Sequence, residues 1–438
     1  MATQSLTLPW GKEEIDLALP ASWEIQGVLS PASHLPVDDP AGEARRSLAE
    51  PIGSARLSDL ARPGQRVALV VDDGSRPTPV AQILPAVLDE LACAGVERDC
   101  LTIVPALGLH RAMPAEELAG RLGLPDLAGY HWENPDCDDP ARLVLLGATR
   151  RGSPVWVNRT VAEADLIVSI GCIEPHIIAS FGGGYKNLFP GVAGRAMIAH
   201  NHSLNCTPET FNMVGQPIEH NPMRQDLEEA GRMLKAPVFI VNAILDSAQR
   251  LVRVVSGNAI AAHRAGTEVS ASLYGVKIPA PADIVITASH PMDQDLRQGV
   301  KALANTIRAV KPGGVMLVTV RAEEGVGVFG LANRKLPVGR ATLKALAPVI
   351  LPLVPKLKLS GMGEEDKFFL YFALQTMQRC KAYLYAPNIP VEIHERLPFV
   401  NFVDSLDDGL ARARQQFPGA ADVLVFPHAG MTYPILQS

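Results

Sequence analysis

Short, uninterrupted apolar runs punctuate the first two-thirds of the chain: Arg66–Val71 (RVALVV), Leu101–Val104 (LTIV), Leu166–Ile170 (LIVSI) and Val238–Val241 (VFIV). Runs of this kind, without polar alternation, predict strands buried on both faces. Between them, Val80–Ala94 and Pro114–Leu122 carry helical spacing. Pro114 followed by Glu116 and Glu117 makes a helix start, with acids in the positive first turn. Strands alternating with helices predict an α/β fold with a mainly parallel sheet. A second block begins after about residue 270, as expected for a chain long enough for two or three domains. There Ile284–Thr287 (IVIT) predicts a strand, Asp293–Val310 a helix, Lys311–Gly314 a turn and Val315–Val320 (VMLVTV) the next strand, together one β-α-β unit. Asp422–Phe426 (DVLVF) predicts a late strand, and the proline-rich Ala347–Leu359 a connector or lid. The expected architecture is two α/β domains, residues 1–268 and 269–438, with the final segment a candidate to return to the first. Clefts between domains and the carboxyl ends of parallel strands are the favoured ligand positions, so the site is expected in a cleft between the two.

Composition narrows the function classes. Hydrophobic residues make up 47% of the 438 and charged residues 20%, enough to fill two cores. A net charge of −6 argues against nucleic acid or an anionic membrane as the main partner. No apolar run reaches membrane-spanning length, and the first twenty residues are acidic, without a basic-then-apolar signal pattern. The six cysteines show no C-x-x-C spacing and read as free thiols of a cytoplasmic protein.

Candidate chemistry is densest in Gly171–His202 (GCIEPHIIASFGGGYKNLFPGVAGRAMIAHNH). His176 follows a predicted strand. Gly182, Gly183 and Gly184 form a loop whose backbone can approach an anion or flat cofactor closely. Lys186 is a counter-charge or a covalent attachment point. His200 and His202 would share a face in a strand and diverge in a helix. Imidazole suits nickel, copper, zinc or iron, and no H-E-x-x-H is present to favour a zinc hydrolase. Asp72–Pro79 (DDGSRPTP) directly follows another strand: Arg76 can clamp a carboxylate, Ser75 and Thr78 offer hydroxyls, and Asp73 can hold Arg76 or orient a neighbour. His110 follows a third strand. In a parallel sheet the three strand ends, carrying Asp73, His110 and His176, lie on one rim. Gln298 and Lys301 share one face of a predicted helix. Gly325–Gly330 (GVGVFG) matches G-x-G-x-x-G but is separated from its strand by Arg321–Glu324 and opens no convincing helix, so it is a poor dinucleotide fingerprint.

Taken together, DDGSRPTP at Asp72–Pro79, GLHR at Gly108–Arg111 and IEPHIIASFGGGYKNLFPGVAGRAMIAHNH at Ile173–His202 resemble the nickel-dependent lactate racemase family, with a looser match at Ser289–Leu303. The resemblance implies an isomerase: a racemase or epimerase of a 2-hydroxy acid. It also implies a nickel-pincer nucleotide cofactor joined by a thioamide to a lysine and by a nickel bond to a histidine, and installed by cofactor-maturation enzymes. Carried over by position, Lys186 is the tethering lysine, His202 the metal ligand, and His110 and His176 the acid/base pair. Asp73, Ser75, Arg76 and Gly182, Gly183 and Gly184 order cofactor or substrate; Gln298 and Lys301 bind substrate. The implied reaction passes hydride to the cofactor, forms a 2-keto acid and returns hydride to its other face. Substrates of either hand present the hydroxyl differently, which makes two histidines useful.

The chain departs from the lactate enzymes at two places. Arg297 stands where a phenol is expected beside Gln298 and Lys301, and Glu364–Phe369 (EEDKFF) lacks an expected tryptophan. Arg297 therefore becomes a substrate-binding candidate for a larger or more polar acid, malate-like or a sugar acid; the alternative is that it faces solvent or pairs with Asp293. Two competing classes stay open at this point: an NAD-dependent oxidoreductase using Gly325–Gly330, and a non-catalytic nucleotide- or hydroxy-acid-binding protein.

Overall fold

The computed structural model describes residues 2–32, 34–327, 330–333, 338–356 and 363–437, the side chains of Glu364 and Glu365 excepted. The chain forms two compact units. One comprises Ser33–Leu204 and Gln216–Leu273; the other comprises Met1–Ala32, Asn205–Gly215 and Tyr274–Ser438.

In the first unit a sheet runs in the order Leu251–Asn258, Val238–Leu245, Leu166–Cys172, Val67–Asp72, Leu101–Ala106, His131–Trp132. Every pairing is parallel except the outer hairpin of Val238–Leu245 with Leu251–Asn258. The apolar runs become strands because both faces are covered: every residue of Val67–Asp72 and of Leu166–Cys172 is buried. Val80–Cys93 lies against the sheet with Val80, Ile83, Leu84 and Val87 buried, the spacing of a helix packing one stripe. Truncating a fully buried core leucine such as Leu69 to alanine costs about 2–5 kcal/mol at sites like this.

The second unit holds an all-parallel sheet in the order Phe402–Val403, Lys381–Tyr385, Val310–Thr319, Ala282–Ala288, Ala421–Phe426, Trp23–Val28. Here the expected boundaries need correction. Trp23–Val28 is an edge strand beside Ala421–Phe426, so the first 32 residues fold with the C-terminal unit rather than with residues up to 268. The buried Trp23 indole locks that arrangement by donating its Nε1–H to the Phe417 carbonyl at 3.2 Å. Nor does the tail cross over: Tyr433–Leu436 pairs in parallel with Gly275–Ile278 of the same unit.

Three local expectations also change. The helix expected over Asp293–Val310 is broken into Leu296–Gly299, Lys301–Thr306 and a 3-10 turn at Ile307–Ala309. Lys311–Gly314 sits inside the strand Val310–Thr319, at an irregularity in its register with Ala282–Ala288. Much of the expected connector is helical, as Arg340–Ile350 and the 3-10 segment Leu351–Lys356; its residues 357–359 lie outside the described ones. The glycine motif at Gly325–Gly330 includes Val328 and Phe329, also outside the described residues; its described end enters a short 3-10 turn, Gly330–Asn333. Among the described residues no helix is long and apolar enough to cross a membrane.

Candidate active site

Three adjacent parallel strands, Leu166–Cys172, Val67–Asp72 and Leu101–Ala106, end on one rim of the first unit's sheet. The loop after Val67–Asp72 ties the neighbouring ends together. Asp72 anchors it from within: Arg121 donates Nε–H to the Asp72 carbonyl at 2.6 Å and reaches its carboxylate, and Thr78 donates its hydroxyl to the same carboxylate. Asp73 then faces the strand on one side, where its Oδ2 lies 2.5 Å from His110 Nδ1. Its Oδ1 accepts from Ser75 N at 3.2 Å and Ser75 Oγ at 2.5 Å. Burial works to raise the Asp73 carboxyl, but the hydrogen bonds from His110 and Ser75 outweigh it and hold the pKa at about 2. Arg76 faces the other strand and donates Nη1–H to Glu174 Oε1 at 2.5 Å. Of the two roles open to Asp73 in the sequence, orienting a neighbour is the one observed; Arg76 is held by Glu174, a residue the sequence reading did not single out.

His176 lies on a two-residue strand, Pro175–His176, which pairs antiparallel with Ser180–Phe181. Its Nδ1 accepts from the backbone N–H of Ile178 and of Ala179, each at 3.2 Å. Asn221 holds this tight turn from outside, donating to Ile178 O at 2.8 Å and Ser180 Oγ at 3.0 Å.

Two of the three amides of the triple-glycine loop are engaged within the protein. Gly182 N–H donates to Glu174 O at 2.8 Å, and Gly184 N–H donates to Asn242 Oδ1 at 2.8 Å. Its glycines are required by backbone shape and crowding. Gly183 and Gly184 have φ of 70° and 61°, and a Cβ on Gly183 would meet Asn242 Oδ1 at 2.7 Å. Behind the loop lies a buried network absent from the sequence reading. Arg224, fully buried, donates to Phe181 O at 3.3 Å and Gly183 O at 3.1 Å and pairs with Glu228 at 3.3 Å. Burial pulls the Arg224 guanidinium down to about 10 against the opposing pull of Glu228. Arg264 bonds the same carboxylate at 2.8 and 3.0 Å. From sequence, Arg224 and Glu228 read as an ordinary i,i+4 surface pair on a helix. Only the packing of that helix face against the loop makes them internal.

What the loop presents is Lys186. Its ammonium nitrogen has no hydrogen-bond or ion-pair partner among the described residues, and burial, reinforced by the Arg76 cation, lowers its pKa from 10.5 to about 7. Cys172, at the end of its strand, is pushed up by burial and stays a thiol.

Arg195–Ser203 is a helix, so His200 and His202 diverge. His200 turns outward to Arg151 O at 2.9 Å. His202 Nδ1 lies 2.8 Å from Ile198 O; a carbonyl only accepts, so the neutral ring keeps its proton on Nδ1 and its lone pair on Nε2. The helix is moored by Asp226, whose buried carboxylate accepts from Thr149 Oγ1 at 2.5 Å, Ser153 Oγ at 2.6 Å and Asn201 Nδ2 at 2.8 Å. A weakly basic amine without a hydrogen-bond or ion-pair partner among the described residues and an imidazole with its Nε2 lone pair set are the donors a lysine-tethered, histidine-ligated metal cofactor needs, so these residues fit such a group.

The remaining sequence candidates belong to the second unit. Arg297 places its guanidinium carbon 4.6 Å from the centroid of the Phe369 ring, a cation–π contact. The two departures from the lactate-enzyme pattern therefore meet each other. Asp293 instead accepts from Gly11 N at 3.1 Å. Asp295 caps the short helix, accepting from Gln298 N at 2.7 Å, and Gln298 Oε1 is buried without a hydrogen-bond partner among the described residues. Lys301 begins the next helix.

Comparison with known proteins gives a consistent picture. Residues 10–212 match the family model described as the lactate racemase N-terminal domain. The chain is 31% identical over 330 residues to the lactate racemase of Thermoanaerobacterium thermosaccharolyticum, covering 74% of this chain and 76% of that one. Against the lactate racemase of Lactiplantibacillus plantarum it is 32% identical over 288 residues, 65% of this chain and 67% of the other. The structure of the T. thermosaccharolyticum lactate racemase apoprotein superposes with a TM-score of 0.83 at 26% identity, over 99% of this chain and 100% of that one. A Thermotoga maritima crystal structure shares the fold, with a TM-score of 0.64 at 16% identity over 92% and 100% of the two chains.

Proposed function

Because the chain belongs to the lactate racemase family and is an isomerase of that kind, we propose that it interconverts the C2 stereoisomers of a 2-hydroxy acid on the rim that carries His110, His176 and Lys186. The observation that carries this reading is Lys186: an amine with no hydrogen-bond or ion-pair partner among the described residues and a pKa lowered to about 7, on a loop braced from behind by a buried arginine. Such an amine is neutral for a large fraction of the time at physiological pH, as a lysine that must form a covalent link requires. Lys186 would hold a nickel-pincer nucleotide through its amine and His202 through Nε2, and the bound cofactor supplies a hydride acceptor. Maturation enzymes that build that cofactor and a cytoplasmic setting belong to the same proposal.

The protein's own groups handle the rest. A 2-hydroxy acid gives up its C2 hydrogen as hydride more readily than as a proton, because the adjoining carboxylate opposes a second negative charge. His110 and His176 meet the substrate oxygens, where the hydroxyl proton must leave and return. Arg76 keeps its charge through the Glu174 ion pair and has guanidinium N–H groups left for a carboxylate. Gln298 and Lys301, at positions matching the family's pattern, are the proposed further substrate contacts. Arg297, which stands where the family pattern expects a phenol, puts a cation on the face of Phe369, which favours an acid with a second polar or anionic group over lactate.

The test is intact mass with nickel analysis on chain produced alongside the maturation enzymes, followed by a chiral screen of lactate, malate and sugar acids. A covalent increment with about one nickel per chain, absent in Lys186→Ala, and racemisation without NADH formation support the proposal. Lactate proving the best substrate, with Arg297→Tyr unchanged, would remove the polar-substrate part of it.

A further inference from the structure

The two rim histidines are held by opposite chemistry at the same ring atom. His110 Nδ1 faces the Asp73 carboxylate at 2.5 Å, and that carboxylate has no proton to give, so Nδ1 carries the hydrogen and the neutral ring has its lone pair on Nε2. His176 Nδ1 faces two backbone N–H groups at 3.2 Å, which can only donate; Nδ1 therefore accepts, and the neutral ring carries its hydrogen on Nε2. Both settings are built in. Asp73 is aimed by Ser75, and the turn that points the Ile178 and Ala179 amides at His176 is fastened by Asn221.

Resting on the reading of this rim as a 2-hydroxy-acid site, we infer that the pair is divided in function: His110, with Asp73 as its positioning residue, accepts and returns the hydroxyl proton, while His176 donates a hydrogen bond from Nε2–H to a substrate oxygen without exchanging a proton. In the transfer the substrate O–H bond breaks, an Nε2–H bond forms on His110, and the O–H electron pair stays on oxygen; the reverse step returns the proton. The positive charge created on His110 lies against the Asp73 carboxylate, which stabilises it. The same charge on His176 would require a hydrogen on Nδ1, directed against two N–H donors, with both hydrogen bonds lost. A family pattern of paired histidines does not by itself distinguish the two; their Nδ1 partners do.

Nitrogen-15 NMR of histidine-labelled full-length chain at neutral pH tests this without any cofactor, with His110→Gln and His176→Gln assigning the signals. The expected result is a protonated Nδ1 on His110 and a bare, hydrogen-bonded Nδ1 on His176. In the cofactor-loaded chain, His176→Gln keeps an N–H donor and is expected to raise KM while kcat stays within about tenfold of wild type, whereas His110→Gln lowers kcat by about 10²–10⁴-fold. Asp73→Asn is expected to lower kcat as well, by offering His110 the wrong tautomer. A protonated Nδ1 on His176, or a His176→Gln chain as impaired in kcat as His110→Gln, overturns the division. Wild-type chain that loads cofactor yet racemises no 2-hydroxy acid would defeat the functional reading instead, and the NMR arm still decides the tautomers.

Discussion

At Lys186 one side chain couples stability to reactivity. Folding lowers its pKa from 10.5 to about 7, so between those values the unfolded chain binds the extra proton and stability falls as pH drops from about 10.5 to about 7, levelling below. Lys186→Met removes that penalty and is expected to stabilise the chain at pH 7. The gain is bounded at about 5 kcal/mol, from about 1.4 kcal/mol per pKa unit, and is smaller for a partly solvated amine; urea unfolding at pH 7 and pH 10.5 checks it, the gain shrinking at the higher pH. The reactive form is the neutral amine, so covalent attachment should speed up as pH rises through about 7 and then plateau. A pH series of attachment rates read by intact mass checks it: an unperturbed amine would instead give a rate still climbing about tenfold per pH unit up to about pH 10.5, with no plateau near 7.

Elements set where these side chains stand. The glycine loop is shaped by contacts on its far side, so Gly183→Ala should fail sterically: its φ of 70° and the 2.7 Å approach to Asn242 leave no room for a methyl group. The expected result is a lower melting temperature and little covalent attachment at Lys186, with the sheet's circular dichroism retained. Arg224→Met removes the donors to Phe181 O and Gly183 O and strips Glu228 of one buried partner. Breaking a buried pair from one side costs about 3–5 kcal/mol. Because Arg264 still pairs with Glu228, the lower end is expected, measured as the shift in denaturant midpoint at constant slope.

For the molecule as a whole, the two units are separated by chain crossings that sequence order hides. The first 32 residues supply an edge strand to the C-terminal unit's sheet. Deleting residues 2–28 should therefore leave amide protection in Val67–Asp72 and Leu101–Ala106 unchanged while weakening it in Ala421–Phe426, whose outer edge would be uncovered. Hydrogen exchange by mass spectrometry reads both at once; protection lost first in Val67–Asp72 would mean the N-terminal segment stabilises the other unit.

Strand positions, the α/β class and the rim that gathers the candidate residues were legible in the sequence, because buried parallel strands demand continuous apolar runs and their carboxyl ends follow directly in the chain. The motifs carried His110, His176, Lys186 and His202 for the same reason: each is local to a strand end, loop or helix. Tertiary structure alone decided which partners those groups have. Asp73 meets His110 across 37 positions and Arg76 meets Glu174 across 98, and no local pattern encodes either pairing. Nothing in the local spacing of Arg224 and Asp226 separates them from helix-surface charges; packing buries both. The edge strand Trp23–Val28 joined the far end of the chain because its hydrogen bonds and its indole are satisfied only beside Ala421–Phe426 and Phe417. Periodicity reports which side of an element is buried; it carries no information about what lies against it.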